Sequence, residues 1–166
     1  MHASILETRF ATWPDEAACA AAAQRLAVEP ATLHATVELA GPLGAGKTTF
    51  VRHLLRAFGV RGRIKSPSYA VVEPYELPAG RGAAWHFDFY RFERGSEWED
   101  AGFRDLFAQP GLKLVEWAEH ARDLPRCDLR IELSTRQDEG RDVRWAAFSE
   151  RGLALIDAVS TAGAER

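Results

Sequence analysis

The sequence predicts an α/β fold, and three observations carry that prediction. Strand-like and helical segments alternate along the chain, and a glycine-rich octet, Gly41-Pro42-Leu43-Gly44-Ala45-Gly46-Lys47-Thr48, joins a strand pattern to a helical one. Two further strand patterns meet across a short turn that contains glycine. The first two observations call for the three-layer, P-loop NTPase-like arrangement of a sheet covered by helices. The third adds a hairpin, so the sheet is expected to mix parallel and antiparallel pairs.

Each element has its own local reason. Residues 4–10 alternate as a short strand, and Thr12, with Pro14, Asp15 and Glu16 behind it, is a good entry for an alanine-rich helix ending near Val28 and closed by Glu29-Pro30. The run 35–40 alternates and carries β-branched residues. Phe50, Val51, Leu54, Leu55 and Phe58 recur at helical spacing until Gly59 stops them. Gly62 and Pro67 make the segment 61–68 a loop. Strands are expected at 69–75 and 83–91 with a turn at 78–82, and residues 95–107 are helical in part. Residues 111–117 read as a buried strand ending on an acid. Strands near 128–134 and 143–148 flank a polar turn at 137–140, and a helix near 151–159 follows.

In an octet of the form G-x-x-x-x-G-K-[ST], glycines let successive backbone N–H groups turn inward around a β-phosphate. The lysine, here Lys47, reaches the β- and γ-phosphates, and the hydroxyl of Thr48 takes a place on Mg²⁺. Each job fixes a residue type. Lys47 is one of only three lysines beside eighteen arginines, so its fall on the one position that demands lysine has weight. The expected contacts to nucleotide are Gly44, Ala45, Gly46, Lys47, Thr48 and Thr49.

The rest of the composition sets limits. A chain of 166 residues, 46% hydrophobic, is expected to form a single domain, residues 1–166. A net charge of −3 gives no global pull toward nucleic acid or an anionic membrane. No apolar run approaches the roughly 20 residues needed to span a bilayer, which makes the cytoplasm the expected location. Cys19 and Cys127 lack metal-ligand spacing and are expected to be buried or half-buried. The cluster Arg52, His53, Arg56, Arg61, Arg63 and Lys65 reads either as a solvated face or as a docking patch for an acidic partner or tRNA.

A P-loop needs an acid near Mg²⁺ and a group that orients the attacking species. Glu116 ends the hydrophobic run Leu112 to Val115, the layout of a Walker B element with Glu in place of Asp; its plain alternative is an exposed strand-end carboxylate. In His86-Phe87-Asp88-Phe89-Tyr90-Arg91, alternation sets His86, Asp88 and Tyr90 on one face and the phenylalanines on the other. Asp88, with Lys47 a candidate catalytic residue, is placed beside a His and a Tyr, where a carboxylate could order a water or help hold a metal ion. His86 is read equally well as part of a structural hydrogen-bond set. Trp117 is either a ring near the nucleotide or a packing residue, and Arg91 either a phosphate contact or a surface group.

Together, the runs 39–50, Lys65-Ser66-Pro67-Ser68-Tyr69, His86 to Arg91 and Val115-Glu116-Trp117 resemble the bacterial tRNA threonylcarbamoyladenosine biosynthesis ATPase family, TsaE, across residues 12–145. The resemblance implies a small ATPase using Mg²⁺ and cycling between ATP and ADP. It would serve a TsaB and TsaD pair that modifies the adenosine beside the anticodon, reaching tRNA through that complex. It also implies that Lys47 and Thr48 bind phosphate and Mg²⁺, that Glu116 belongs to the metal site, that Asp88 serves hydrolysis, that Trp117 lies near the nucleotide, and that Ser66-Pro67-Ser68 acts as a switch-like loop. Pro42 stands where the family usually has Asp, and Ser68 where it prefers Thr; neither removes an amide or hydroxyl that the roles above require. A small-molecule kinase and a nucleotide-binding module without turnover are the alternatives. Against the kinase, a hairpin pattern occupies the place after Gly59 where an arginine-bearing lid is usual.

Overall fold

In a computed structural model, which describes residues 4–160, one seven-stranded sheet has the order β1-β7-β6-β2-β5-β4-β3. Its strands are β1 (Glu7–Trp13), β2 (Thr36–Ala40), β3 (Val72–Leu77), β4 (Gly82–Asp88), β5 (Leu112–Glu116), β6 (Leu129–Thr135) and β7 (Arg141–Ala147). The four central strands, β6-β2-β5-β4, run parallel, and β3, β7 and β1 add antiparallel pairs outside them. The sheet is mixed, as expected.

Helices lie on both faces. On one, α1 (Glu16–Val28), α2 (Lys47–Ala57) and α5 (Glu150–Ser160) pack over Val37, Leu39, Ile131, Leu133, Val143 and Trp145. Alanines 22 and 23 are fully buried where α1 meets α2, and their small size allows the helices to approach closely. On the other face α3 (Glu97–Asp100) and α4 (Phe103–Ala108) cover Phe87, Phe89 and Val115, with Trp98 and Phe107 between them. β5 is buried along its whole length because both layers cover it.

The boundaries move where tertiary contacts outweigh local pattern. β1 runs through Thr12 to Trp13, so Thr12 is a strand residue. Asp15 caps α1 instead, accepting from the N–H of Ala18 at 2.9 Å. Trp13 stacks on Phe50 with centroids 5.9 Å apart and meets Trp145 edge-on at 6.1 Å, and those contacts hold the chain extended. β3 begins at Val72, after a turn in which the Val71 N–H donates to Pro67 O at 2.6 Å and Val71 has φ +68°. β4 ends at Asp88, where the Tyr90 N–H turns back to the Asp88 carboxylate at 2.9 Å. Both cysteines are buried, which pushes their thiols up to about 12. No described helix is long and apolar enough to cross a membrane.

Gly152, in the first turn of α5, lies against the chain entering β6. A Cβ there would sit 1.9 Å from Asp128 O. In an open helix Gly→Ala gains about 1 kcal/mol; here Gly152→Ala is expected to lose about 1–3 kcal/mol through overpacking, read as a lower urea midpoint.

Candidate functional site

The parallel strands bring the functional side chains to one end of the sheet. In register, Leu39 of β2, Glu116 of β5 and Asp88 of β4 lie side by side at the carboxyl ends of their strands, where open α/β sheets bind ligands. Beyond β2 the octet turns into α2. Gly41 has φ +142°, and a Cβ on it would lie 2.4 Å from Leu133 O, so glycine is required by space as well as by conformation. Gly46, at φ +105°, starts α2, and no side chain caps that end. The first-turn N–H groups of α2 therefore face the cavity, with the positive end of the helix dipole behind them.

That cavity has a volume of about 400 Å³ and is lined by residues 43–49, Ser66, Ser68, Asp88, Tyr90, Arg91, Glu116, Trp117 and Arg141. All the nucleotide, metal and hydrolysis candidates named from sequence meet there. The ammonium of Lys47 folds inward, donating to Gly41 O and, at 3.3 Å, to Pro42 O, and it sits 4.0 Å above the Trp117 ring. Burial lowers its pKa, against the opposing pull of Glu116, Glu119 and Asp88. Trp117 adopts φ +59°, a strained left-handed conformation for a bulky residue, and that turn sets its ring over the lysine. Tyr90, 5.0 Å from Trp117, and His120, 5.4 Å from it, support the ring. His120 Nδ1 lies 3.0 Å from the carbonyls of Phe89 and Tyr90, which only accept, so this nitrogen carries the proton.

Thr48 Oγ1 is 3.0 Å from each carboxylate oxygen of Glu116. Glu116 is 2% exposed and so is not the solvated strand-end acid that the sequence left open. Asp88 is paired directly across from it. Burial raises the Asp88 pKa first of all and Glu116 adds to the rise, while the Tyr90 N–H, His86 and Lys47 lower it. The Asp88 N–H donates to Val71 O at 2.8 Å, which ties the 66–71 loop to the acid; within that loop the Ser66 and Ser68 hydroxyls are 3.0 Å apart. Among the described residues, no group of three or more His, Cys, Asp or Glu side chains forms a self-sufficient metal site. A hydroxyl and carboxylates beside a phosphate-sized cradle suit Mg²⁺, which completes its coordination with phosphate oxygens and water.

These positions match a known family. The model of the threonylcarbamoyl adenosine biosynthesis protein TsaE matches residues 13–143. The chain belongs to the TsaE family. It is 38% identical over 125 residues to the tRNA threonylcarbamoyladenosine biosynthesis protein TsaE of Haemophilus influenzae, covering 75% of this chain and 77% of that one. To the Bacillus subtilis protein of the same description it is 33% identical, covering 74% and 75%. In three dimensions it resembles the crystal structure of Bacillus subtilis YdiB, with a TM-score of 0.77, 24% identity, and 96% and 99% of the two chains covered.

The range matched by the TsaE model contains every residue lining the cavity. One of them, Arg141, escaped the sequence reading. It opens β7, and its guanidinium donates to Ala45 O at 2.7 Å and Glu139 O at 2.6 Å, bracing the octet against the β6–β7 turn. It also borders a second cavity of about 220 Å³ beside Trp13, Asp15 and Thr49. Nothing local marks one arginine among eighteen for this task. Of the basic cluster, Arg52, Arg56, Arg61, Arg63 and Lys65 are exposed, whereas His53 is bound to Glu16 at 2.8 Å.

Proposed function

We propose that this TsaE-family chain is an ATPase that binds and hydrolyses Mg-ATP to drive turnover of a TsaB–TsaD complex in the cytoplasm. That complex places a threonylcarbamoyl group on the adenosine beside the anticodon of tRNA. The observation that carries the reading is the convergence of Lys47, Thr48, Glu116 and Asp88 on one cavity at the capless start of α2. The family supplies the biological setting; the relatives' names mention tRNA threonylcarbamoyladenosine biosynthesis.

In this reading the amides of residues 44–49 cradle the phosphates and Lys47 leaves its inward contacts for the β- and γ-phosphates. Thr48 and Glu116 would hold Mg²⁺, directly or through water, and the ion supplies charge neutralisation at the phosphates when bound. Asp88 orients the attacking water and takes its proton, a task suited by a carboxylate held above its ordinary pKa. Trp117, Tyr90 and Arg141 wall the site.

The test is phosphate release by the purified chain with Mg-ATP, alone and with TsaB–TsaD. Slow hydrolysis alone, stimulated by the pair, is expected. Efficient transfer of phosphate to a small metabolite would identify a kinase instead.

A further inference from the structure

The strand run that presents Asp88 also carries His86, to which the proposed ATPase cycle assigns no task. His86 is fully buried on β4, opposite Leu114 and diagonal to Glu116. Its Nε2 lies 2.5 Å from Glu116 Oε2, and its Nδ1 has no hydrogen-bond partner among the described residues. The ring therefore makes one hydrogen bond, although its charge is also felt by Asp88. A buried polar atom without a partner is a cost to folding. On the same side of the sheet His86 has Ala84 and Leu114 beside it and Glu73 of β3 paired across from it, and of the surrounding acids and apolar groups only Glu116 is within hydrogen-bond distance of the ring. The single contact goes to the acid that faces Thr48.

We infer that His86 is a positioning residue for the metal site, holding Glu116 so that Glu116 in turn orients the Thr48 hydroxyl. A carboxylate only accepts, so in the contact with Glu116 the Thr48 O–H donates and its lone pairs are left to face the cavity. Glu116 has reason to turn away, because Asp88 stands directly across the strand pair and like charges there repel. The His86 donor fixes one carboxylate oxygen against that repulsion. Partners of this kind, one step removed from an ion, set its affinity: their loss costs about 10–100-fold.

This inference rests on the Mg-ATP reading, and the experiment separates the two. Dissociation constants of a fluorescent ADP analogue are measured in EDTA and in saturating MgCl₂ for wild type, His86→Leu, His86→Asn and His86→Gln. The Gln amide reaches the place of Nε2, and the Asn amide only that of Nδ1. Wild type and His86→Gln are expected to bind more tightly in Mg²⁺, while His86→Leu and His86→Asn lose about tenfold of that gain with unchanged affinity in EDTA. A full Mg²⁺ gain in both His86→Leu and His86→Asn would overturn the role of His86, as would an equal loss in EDTA and Mg²⁺. A wild-type chain whose ADP affinity ignores Mg²⁺ would overturn the reading of the site itself, and the role of His86 with it.

Discussion

Lys47→Ala is expected to weaken ATP and ADP binding by about 100-fold or more, since each charge-assisted contact contributes about 1.5–3 kcal/mol and this ammonium is shared by two phosphates in a P-loop. The structure adds a reason for a large effect. Lys47 is only 5% exposed, and its present partners, Gly41 O, Pro42 O and the Trp117 face, are what it trades for phosphate. Alanine leaves the backbone cradle intact but removes its one buried cation. Calorimetric titration with ADP reads the loss directly; affinity within a few-fold of wild type would remove Lys47 from the site. In the wild type, departure of the ammonium from the indole face should also change Trp117 emission on titration.

Asp88→Asn is expected to part binding from turnover. Nucleotide affinity should stay near wild type, while hydrolysis falls about 10²–10⁴-fold, the usual contribution of a positioned acid or base. The same change has a pH-dependent effect on stability in the nucleotide-free protein. The Asp88 pKa is raised by burial in the folded state, so folding favours its protonated form. Its stabilising contribution is full below the ordinary carboxylate pKa and is lost as pH rises through the raised value. Above that raised value the native protein carries an ionised, buried Asp88 at a cost that Asn removes. Asp88→Asn should melt higher than wild type there, with the gain shrinking on acidification. Equal activity of mutant and wild type would rule out the hydrolytic role.

The sequence was most legible where one segment carries both pattern and chemistry. The octet from Gly41 to Thr48 is legible by itself because each residue type answers a backbone or side-chain requirement, and Glu116 stands out as the charged end of an apolar run. The alternation of His86, Asp88 and the phenylalanines placed the correct groups on the correct faces. What escaped was set by pairing between distant segments. Thr12 makes a better helix cap than strand residue by local preference, yet Trp13 must reach Phe50 and Trp145, and that contact lies far along the chain. Strand β4 stops at Asp88 because the Asp88 carboxylate captures the Tyr90 N–H, which alternation does not foretell. Arg141 belongs to the site only because β7 returns beside the octet. The left-handed turn at Trp117, which lays the indole over Lys47, has no glycine to announce it.

A co-crystal of the chain with Mg²⁺ and a non-hydrolysable ATP analogue would show whether Mg-ATP occupies this cavity. Phosphates are expected within the cradle of residues 44–49, with Lys47 released from Gly41 and Pro42 onto them and the ion on the Thr48 hydroxyl with Glu116 beside it. Phosphates seated outside that cradle, or an ion that touches neither Thr48 nor the surroundings of Glu116, would contradict the Mg-ATP reading.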